Sequence, residues 1–279
     1  GTAYTQGVVA MAKTQTEPAG TSGSQFFVVT GDDAGLPPDY AVAGTVRKGL
    51  PVVERMAKRH RVIAPDLPGH GGSPAPPADA TLSFYADRVA ALLRHLGVER
   101  TGVAGFSMGA MVAQRLALDH ASSVSRLALV CAVHDRPPEA KLAVRTRALA
   151  TAIRGVAPSV PAALERWFTP SFAAKRPDVV EAVRTTLLGN DPIGYLRSYA
   201  IFAQADEELA KDVGRIDVPT LIVAAEEDSG STPQMAHALR AGIRDSRVVV
   251  VPGVRHLLPI EAPDRLARLL DDFFLEGTG

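Results

Sequence analysis

One stretch of the chain constrains its fold most strongly. Ser107 lies between a short apolar run that ends at Gly105 and a helical pattern over 110–119. A serine on a sharp strand-to-helix turn has a strained backbone, and the positions two residues to either side are crowded. Those positions hold Gly105 and Gly109, which would remove clashing side chains. The pattern predicts a nucleophile elbow, with the Met108 amide directed at developing negative charge. An ordinary serine at a glycine-flanked strand end is the alternative.

Composition narrows the class of protein. Of the 279 residues, 46% are apolar, and 30 basic residues balance 30 acidic ones, so the formal net charge is zero. No global field favours binding to nucleic acid or to an anionic membrane. Cys131 is the single cysteine, which excludes an internal disulfide and fits a reducing compartment. We see neither a bilayer-spanning run nor a secretory signal at the start, so we expect a cytoplasmic protein.

From residue 60 onward, predicted strands alternate with predicted helices. Short apolar runs predict strands over 61–66, 126–132, 220–225 and 247–251, besides the run before Ser107. Helical spacing covers 82–96, 110–119 and 263–274, and almost all of 137–214. This alternation predicts an α/β fold whose mainly parallel sheet is covered by helices on both faces.

Three polar residues follow the ends of predicted strands. They are Ser107, Asp228 and His256, and the carboxyl ends of parallel strands share one edge of a sheet. A serine hydroxyl needs a base to become a nucleophile, and imidazole titrates near neutral pH. Asp228 would accept a hydrogen bond from the other ring nitrogen, with Glu227 as its competitor. A surface-loop histidine is the alternative for His256.

The chain order of serine, acid and histidine is that of the α/β-hydrolases. Residues 60–279 resemble that family in the segments 61–71, 103–110, 226–233 and 253–256, and 165–170 resembles the enol-lactone hydrolases. The resemblance implies a core of 60–136 and 216–279 with a helical cap over 137–215. It also implies a serine hydrolase that cleaves a small carboxylic ester or lactone through an acyl-serine intermediate. Neither a cofactor nor a metal is expected.

Further residues are assigned to the site or to the scaffold. The candidates for the substrate pocket are Phe106, His134, Trp167 and Phe168, with a solvated loop or simple cap packing as the alternatives. Cys131 is expected to be a small buried apolar residue.

The first 59 residues differ from the rest. Predicted strands over 8–12, 25–30 and 41–46, then a short helix from Pro51, resemble the C-terminal half of a cyclophilin. The resemblance rests mainly on the Gly-Ser-Gln-Phe-Phe run at 23–27. It would place Gln25, Phe27, Ala12 and Lys13 around a proline-binding groove. The family's Phe-His-Arg context is missing from this segment, so no isomerase activity is predicted.

This first segment occupies the place where hydrolases of this type carry a central strand and a loop with a second oxyanion donor. We hypothesise that 26–30 fills the vacant strand and brings the amide of Gly31 or Asp32 near Ser107. Two other readings stay open. One is a peptide-binding module built on the first segment, and the other is a chimera with an intact triad and little activity. The oligomeric state is left open.

Overall fold

The computed structural model describes residues 50–276 and, before them, the backbone of three short strands at 8–12, 25–28 and 41–45. These three strands are β1 (Val8–Ala12), β2 (Gln25–Val28) and β3 (Ala41–Thr45). They form an antiparallel sheet in the order β2-β1-β3, in which Ala10 lies opposite Phe27 on one side and Val42 on the other.

A second sheet organises the rest of the described chain. Its strands are β4 (Thr101–Phe106), β5 (Val124–Val130), β6 (Thr220–Ala225) and β7 (Ser246–Val251), in the order β4-β5-β6-β7. All three pairings are parallel. The prediction of a parallel sheet is therefore confirmed, and the carboxyl ends of its four strands lie along one edge.

The helices mostly begin where the sequence offers a start signal. Six of the helices in the described residues have proline at their first position. An N–H at that position would have no acceptor within the helix, so proline, which has no N–H, forfeits no hydrogen bond there. The helices are α1 (Leu50–Ala57), α2 (Leu82–His95), α3 (Met108–Asp119), α4 (Pro138–Arg154), α5 (Val160–Trp167), α6 (Pro170–Lys175), α7 (Pro177–Leu188), α8 (Pro192–Phe202), α9 (Ala205–Asp212), α10 (Pro233–Gly242), α11 (Leu258–Glu261) and α12 (Pro263–Leu275). None of them is long and apolar enough to cross a membrane.

Side-chain alternation along the strands divides the core into two layers. On β5, Leu127 and Leu129 pack with residues of α2, α3 and α10. Their neighbours Ala128 and Val130 point the other way, into a cluster with residues of α1 and α12. The predicted arrangement of helices on both faces is confirmed. Because α1 contributes Val52 to this cluster, the helix before the expected boundary at 59 packs within the core of the fold.

Two sequence-based expectations about strands are wrong. The segment 61–66 has no regular secondary structure, although its apolar run predicted a strand. A strand forms only with a hydrogen-bonding neighbour, and no described strand lies beside this segment. The hypothesis that 26–30 fills the central position also fails, since Gln25–Val28 pairs with β1 in the antiparallel sheet. Within the described chain, β4 has one neighbour, β5.

The segment 137–215 folds as consecutive helices, α4 to α9, with short 3₁₀ turns between some of them. It touches the core at a close backbone approach between Gly69 and Gly194. A Cβ atom at Gly69, whose φ is +79°, would lie 2.9 Å from the Gly194 backbone, so this contact requires glycine. Nearby, the Arg197 guanidinium donates to the carbonyl of Pro76 at 2.6 Å. These contacts seat α8 against the loop that follows 61–66.

Candidate active site

The turn between β4 and α3 has the strained geometry that the motif predicted. Ser107 has φ +54° and ψ −117°, in the region that non-glycine residues rarely adopt. A Cβ at Gly105 would lie 2.2 Å from the Gly109 carbonyl oxygen, so only glycine fits there. The expectation for Gly109 is wrong, because a Cβ at that position would meet open space. Only one of the two glycines is therefore required by crowding.

The structure brings Ser107, His256 and Asp228 into one hydrogen-bonded row. His256 Nε2 lies 3.0 Å from Ser107 Oγ, and His256 Nδ1 lies 2.6 Å from Asp228 Oδ2. Ser107 follows β4, Asp228 lies three residues after β6, and His256 lies five residues after β7. The parallel topology thus gathers at one edge three side chains from distant parts of the sequence.

Asp228 is held in a fixed orientation by its own loop. Its Oδ1 accepts hydrogen bonds from the amides of Gly230 at 2.8 Å and Ser231 at 3.0 Å, which leaves Oδ2 for His256. The residue is 4% exposed. Glu227, its competitor in the sequence, instead lies 3.6 Å from the Arg255 guanidinium at the surface.

Met108 and the four predicted pocket residues have different surroundings. Met108 is the first residue of α3, so its N–H has no intrahelical acceptor and is free to face an oxyanion. The rings of Phe106 and Trp167 have centroids 5.1 Å and 6.1 Å from that of His256. Phe168 is buried and stacks on Phe172 at 5.4 Å, inside the helical segment 137–215. His134 is also buried, and Gly31 lies outside the described residues.

Sequence reasoning missed a carboxylate that ties the helical segment to the histidine loop. Glu261 Oε1 accepts from the Thr169 amide at 2.8 Å and from its hydroxyl at 2.7 Å. The other oxygen, Oε2, accepts from the amide of Arg255 at 2.7 Å, next to His256. The Arg255 guanidinium donates to the carbonyls of Glu165 and Phe168. An isolated glutamate in a short helix carries no signal of this role.

A buried ion pair, also unpredicted, lies where α9 meets the loop after β5. Arg136 Nη1 is 2.6 Å from Asp206 Oδ1, and the Arg136 amide donates to Asp206 Oδ2 at 3.0 Å. The two residues are 3% and 1% exposed. The guanidinium also lies over the ring of Phe202, with its carbon 4.6 Å from the ring centroid.

Cys131 lies beside the row of three. One donor atom from each of Cys131, Asp228 and His256 lies within 4.8 Å of the others, which is close enough to hold a metal ion. Burial, and then the charge of Asp228, raise the pKa of the Cys131 thiol well above its usual value. Asp228 Oδ2 and both ring nitrogens of His256 already have hydrogen-bond partners in this arrangement. We therefore interpret Cys131 as a neutral thiol beside Asp228.

The raised pKa makes a prediction about thiol reactivity. An ordinary cysteine is largely thiolate above a pH of about 8.5. Cys131 stays protonated there, and it is 1% exposed. We expect a thiol reagent such as Ellman's reagent to leave the native protein unmodified at that pH and to modify one thiol after unfolding in urea. Rapid reaction of the native protein would contradict this placement of Cys131.

Comparisons of the sequence and the fold with known proteins identify the family. The sequence profile described as the alpha/beta hydrolase family matches residues 18–269, most of the chain. The chain belongs to this family. The chain is 29% identical, over 82% of its length and 85% of the relative's, to an (E)-2-((N-methylformamido)methylene)succinate hydrolase of Acinetobacter baylyi.

Two solved structures resemble this chain over most of their length. The enol-lactonase from Burkholderia xenovorans LB400 has a TM-score of 0.74 and 29% identity, over 81% of this chain and 85% of that one. An esterase from Thermogutta terrifontis, with malate bound, has a TM-score of 0.72 and 28% identity, over 80% and 82%. The predicted family is confirmed for the hydrolase region. The cyclophilin resemblance finds no support, and the family match extends into that segment as far as residue 18.

Proposed function

We propose that this protein is a serine hydrolase that cleaves a carboxylic ester or lactone through an acyl-serine intermediate. One observation carries the proposal: His256 lies between Ser107 Oγ, at 3.0 Å, and Asp228 Oδ2, at 2.6 Å. A base within hydrogen-bond reach of the hydroxyl, and an acid that orients the base, are what a serine nucleophile requires.

The reaction follows from these contacts. Ser107 Oγ attacks the carbonyl carbon as its proton passes to His256 Nε2, and Asp228 stabilises the imidazolium through Nδ1–H. The N–H of Met108 donates to the resulting oxyanion. The ester C–O bond then breaks, and the leaving alkoxide takes the proton from His256. Water, deprotonated by His256, attacks the acyl-serine, and the carboxylic acid leaves as Ser107 regains its proton.

The remaining predicted residues complete the proposal. The rings of Phe106 and Trp167, beside His256, would cover the apolar part of the substrate. His134 and Phe168 would line the pocket further from the nucleophile. Gly31 was expected as the second oxyanion donor through the strand placement that fails, so Met108 is the one oxyanion donor in this proposal. Segments 60–136 and 216–279 would form the catalytic core, and 137–215 the cap over it.

The relatives support the choice of substrate class. An enol-lactonase cleaves a cyclic ester, an esterase an open-chain one, and both are similar to this chain over about four fifths of its length. In a lactone the leaving alkoxide stays attached to the acyl group, so the same steps open the ring. The proposal accordingly covers both substrate types.

Covalent labelling tests the proposal. A fluorophosphonate probe reacts with serines that a neighbouring base activates, so we expect one adduct per native protein, located at Ser107 by peptide mass spectrometry. Ser107→Ala should take no label. Heat-denatured protein is the second control, because it keeps the serine but loses His256 as a neighbour. Labelling at another serine, or none on folded protein, would refute the assignment.

The alternative of a weak or inactive protein makes a different prediction in the same experiment. If the first segment served as a peptide-binding module, the folded protein would remain unlabelled and would bind proline-containing peptides. If it were an unrelated fragment, the folded protein would remain unlabelled and would not bind them. Strong labelling with slow ester turnover would instead point to a functional nucleophile with a deficient oxyanion site.

A further inference from the structure

Helix α4 has a buried face and, on its opposite side, an exposed apolar face. Val144 and Thr151 form the buried face, and each is 1% exposed. Since an α-helix turns by about 100° per residue, Leu142, Leu149 and Ile153 lie within about 40° of one another on the other side. These three side chains are 68%, 63% and 74% exposed. We call them the α4 stripe.

The α4 stripe is unusual for the surface of this chain. Five large apolar side chains are exposed among the described residues, and three of them form the stripe. From Leu142 to Ile153 the stripe is about 16 Å long. Single exposed apolar residues are common on protein surfaces, but a contiguous group of them marks an interaction site. A helix with apolar residues on opposite faces is typically covered on both.

Two charged side chains flank the stripe, one near each end. Glu139 lies in the first turn of α4, and Arg154 lies in the last. Both are exposed, and neither forms an ion pair with another described residue. The helical spacing places both on the same flank of the stripe. On the other flank, Arg145 already pairs with Glu207 at 2.6 Å.

This surface is complementary to itself after a two-fold rotation. If two copies of α4 pack antiparallel about an axis between residues 147 and 148, Leu142 lies opposite Ile153 of the second copy. The rotation keeps each flank on the same side of the helix pair. Glu139 of each copy therefore comes next to Arg154 of the other copy. The apolar stripe and the flanking charges are matched in the same register.

We propose that the α4 stripe is the interface of a homodimer in which the α4 helices of two copies pack antiparallel. The charges favour a second copy as the occupant, because two-fold symmetry supplies both opposite charges at the matching spacing. The stripe is one face of one helix, so we expect a reversible dimer, as interfaces below about 1,000 Å² form. The proposal does not depend on the hydrolysis proposed above.

Sedimentation of the whole chain tests for the dimer. We expect the fraction of dimer to rise as the protein concentration increases from about 1 µM to about 1 mM, the range in which weak complexes form. Leu149→Glu should raise the dissociation constant about a hundredfold or more, because symmetry places the changed residue in the interface twice. Circular dichroism should show an unchanged fold, since Leu149 is exposed.

Leu188→Glu is the matched control for this substitution. Leu188 is also an exposed leucine, 43% accessible, but it lies at the end of α7 and not on the stripe. Its replacement adds the same charge to the surface and should leave the dissociation constant unchanged. The comparison separates loss of the α4 contact from a general effect of added negative charge.

Charge reversal tests the antiparallel register. Glu139→Arg and Arg154→Glu each bring like charges together twice in a dimer, so either variant alone should associate about fivefold more weakly or worse. When the two variants are mixed in equal amounts, a dimer with one copy of each has two opposite-charge pairs. The mixture should therefore associate about as strongly as the wild type.

The possible results separate the proposal from other occupants of the stripe. A wild type that stays monomeric over the whole concentration range would overturn the proposal. A dimer that Leu149→Glu leaves intact would also overturn it, because the interface would lie elsewhere. A mixture that associates no better than its separate variants would rule out the antiparallel register. A monomer that binds phosphatidylglycerol vesicles through Leu149 would assign the stripe to a lipid surface instead.

Discussion

Replacing Asp228 with asparagine is expected to lower kcat about 10⁴-fold while the protein stays folded. The amide oxygen can still accept from Gly230 and Ser231, so the loop keeps its hydrogen bonds. The amide nitrogen then faces His256 Nδ1 and donates to it. This forces the proton onto Nε2, which faces Ser107 and can no longer act as a base. Steady-state hydrolysis of a para-nitrophenyl ester measures the loss.

Glu227→Gln is the matched control, because Glu227 is adjacent in sequence but turned to Arg255 at the surface. We expect its kcat within about threefold of the wild type, since exposed ion pairs contribute at most about 1 kcal/mol. An equal loss in both variants would mean that the loop, rather than the acid, is responsible. Full activity in Asp228→Asn would remove Asp228 from the mechanism.

The second large effect concerns stability. Asp206→Ala should lower the free energy of unfolding by about 3–5 kcal/mol, because it leaves the guanidinium of Arg136 buried without its carboxylate. The variant also removes the acceptor of the Arg136 amide. Urea unfolding followed by circular dichroism measures the change as a lower midpoint with an unchanged slope.

Glu207→Ala, one residue along α9, tests whether this effect comes from burial. Glu207 pairs with Arg145 at 2.6 Å, but the two side chains are 43% and 50% exposed. Its loss should cost less than about 1 kcal/mol. If the two variants unfold at the same urea concentration, the Arg136–Asp206 pair contributes no more than a surface pair.

The parts of the site that could be predicted from sequence depend on local patterns. Ser107, Asp228 and His256 each follow an apolar run, and parallel strands bring such positions to one edge without further information. The helix starts were equally accessible, because proline at the first helical position is a local signal. The structure places the three side chains within hydrogen-bond distance, while their roles as nucleophile, acid and base stay predictions.

Other features depend on tertiary contacts that no local pattern contains. The run at 61–66 has the composition of a strand, but strand formation requires a neighbour elsewhere in the chain. Arg136 and Asp206 look like ordinary charged residues in sequence, and only the packing of α9 against the loop after β5 makes them a buried pair. The partner of Gln25–Val28 likewise depends on which strand is free to accept its hydrogen bonds.

The carboxylate of Glu261 has a consequence for how the helical segment can move. It joins Thr169, at one end of the helical segment, to the amide of Arg255 next to His256. Any swing of that end away from the sheet would break these bonds or pull the imidazole off Ser107. This corner therefore couples the position of the helical segment to that of the imidazole.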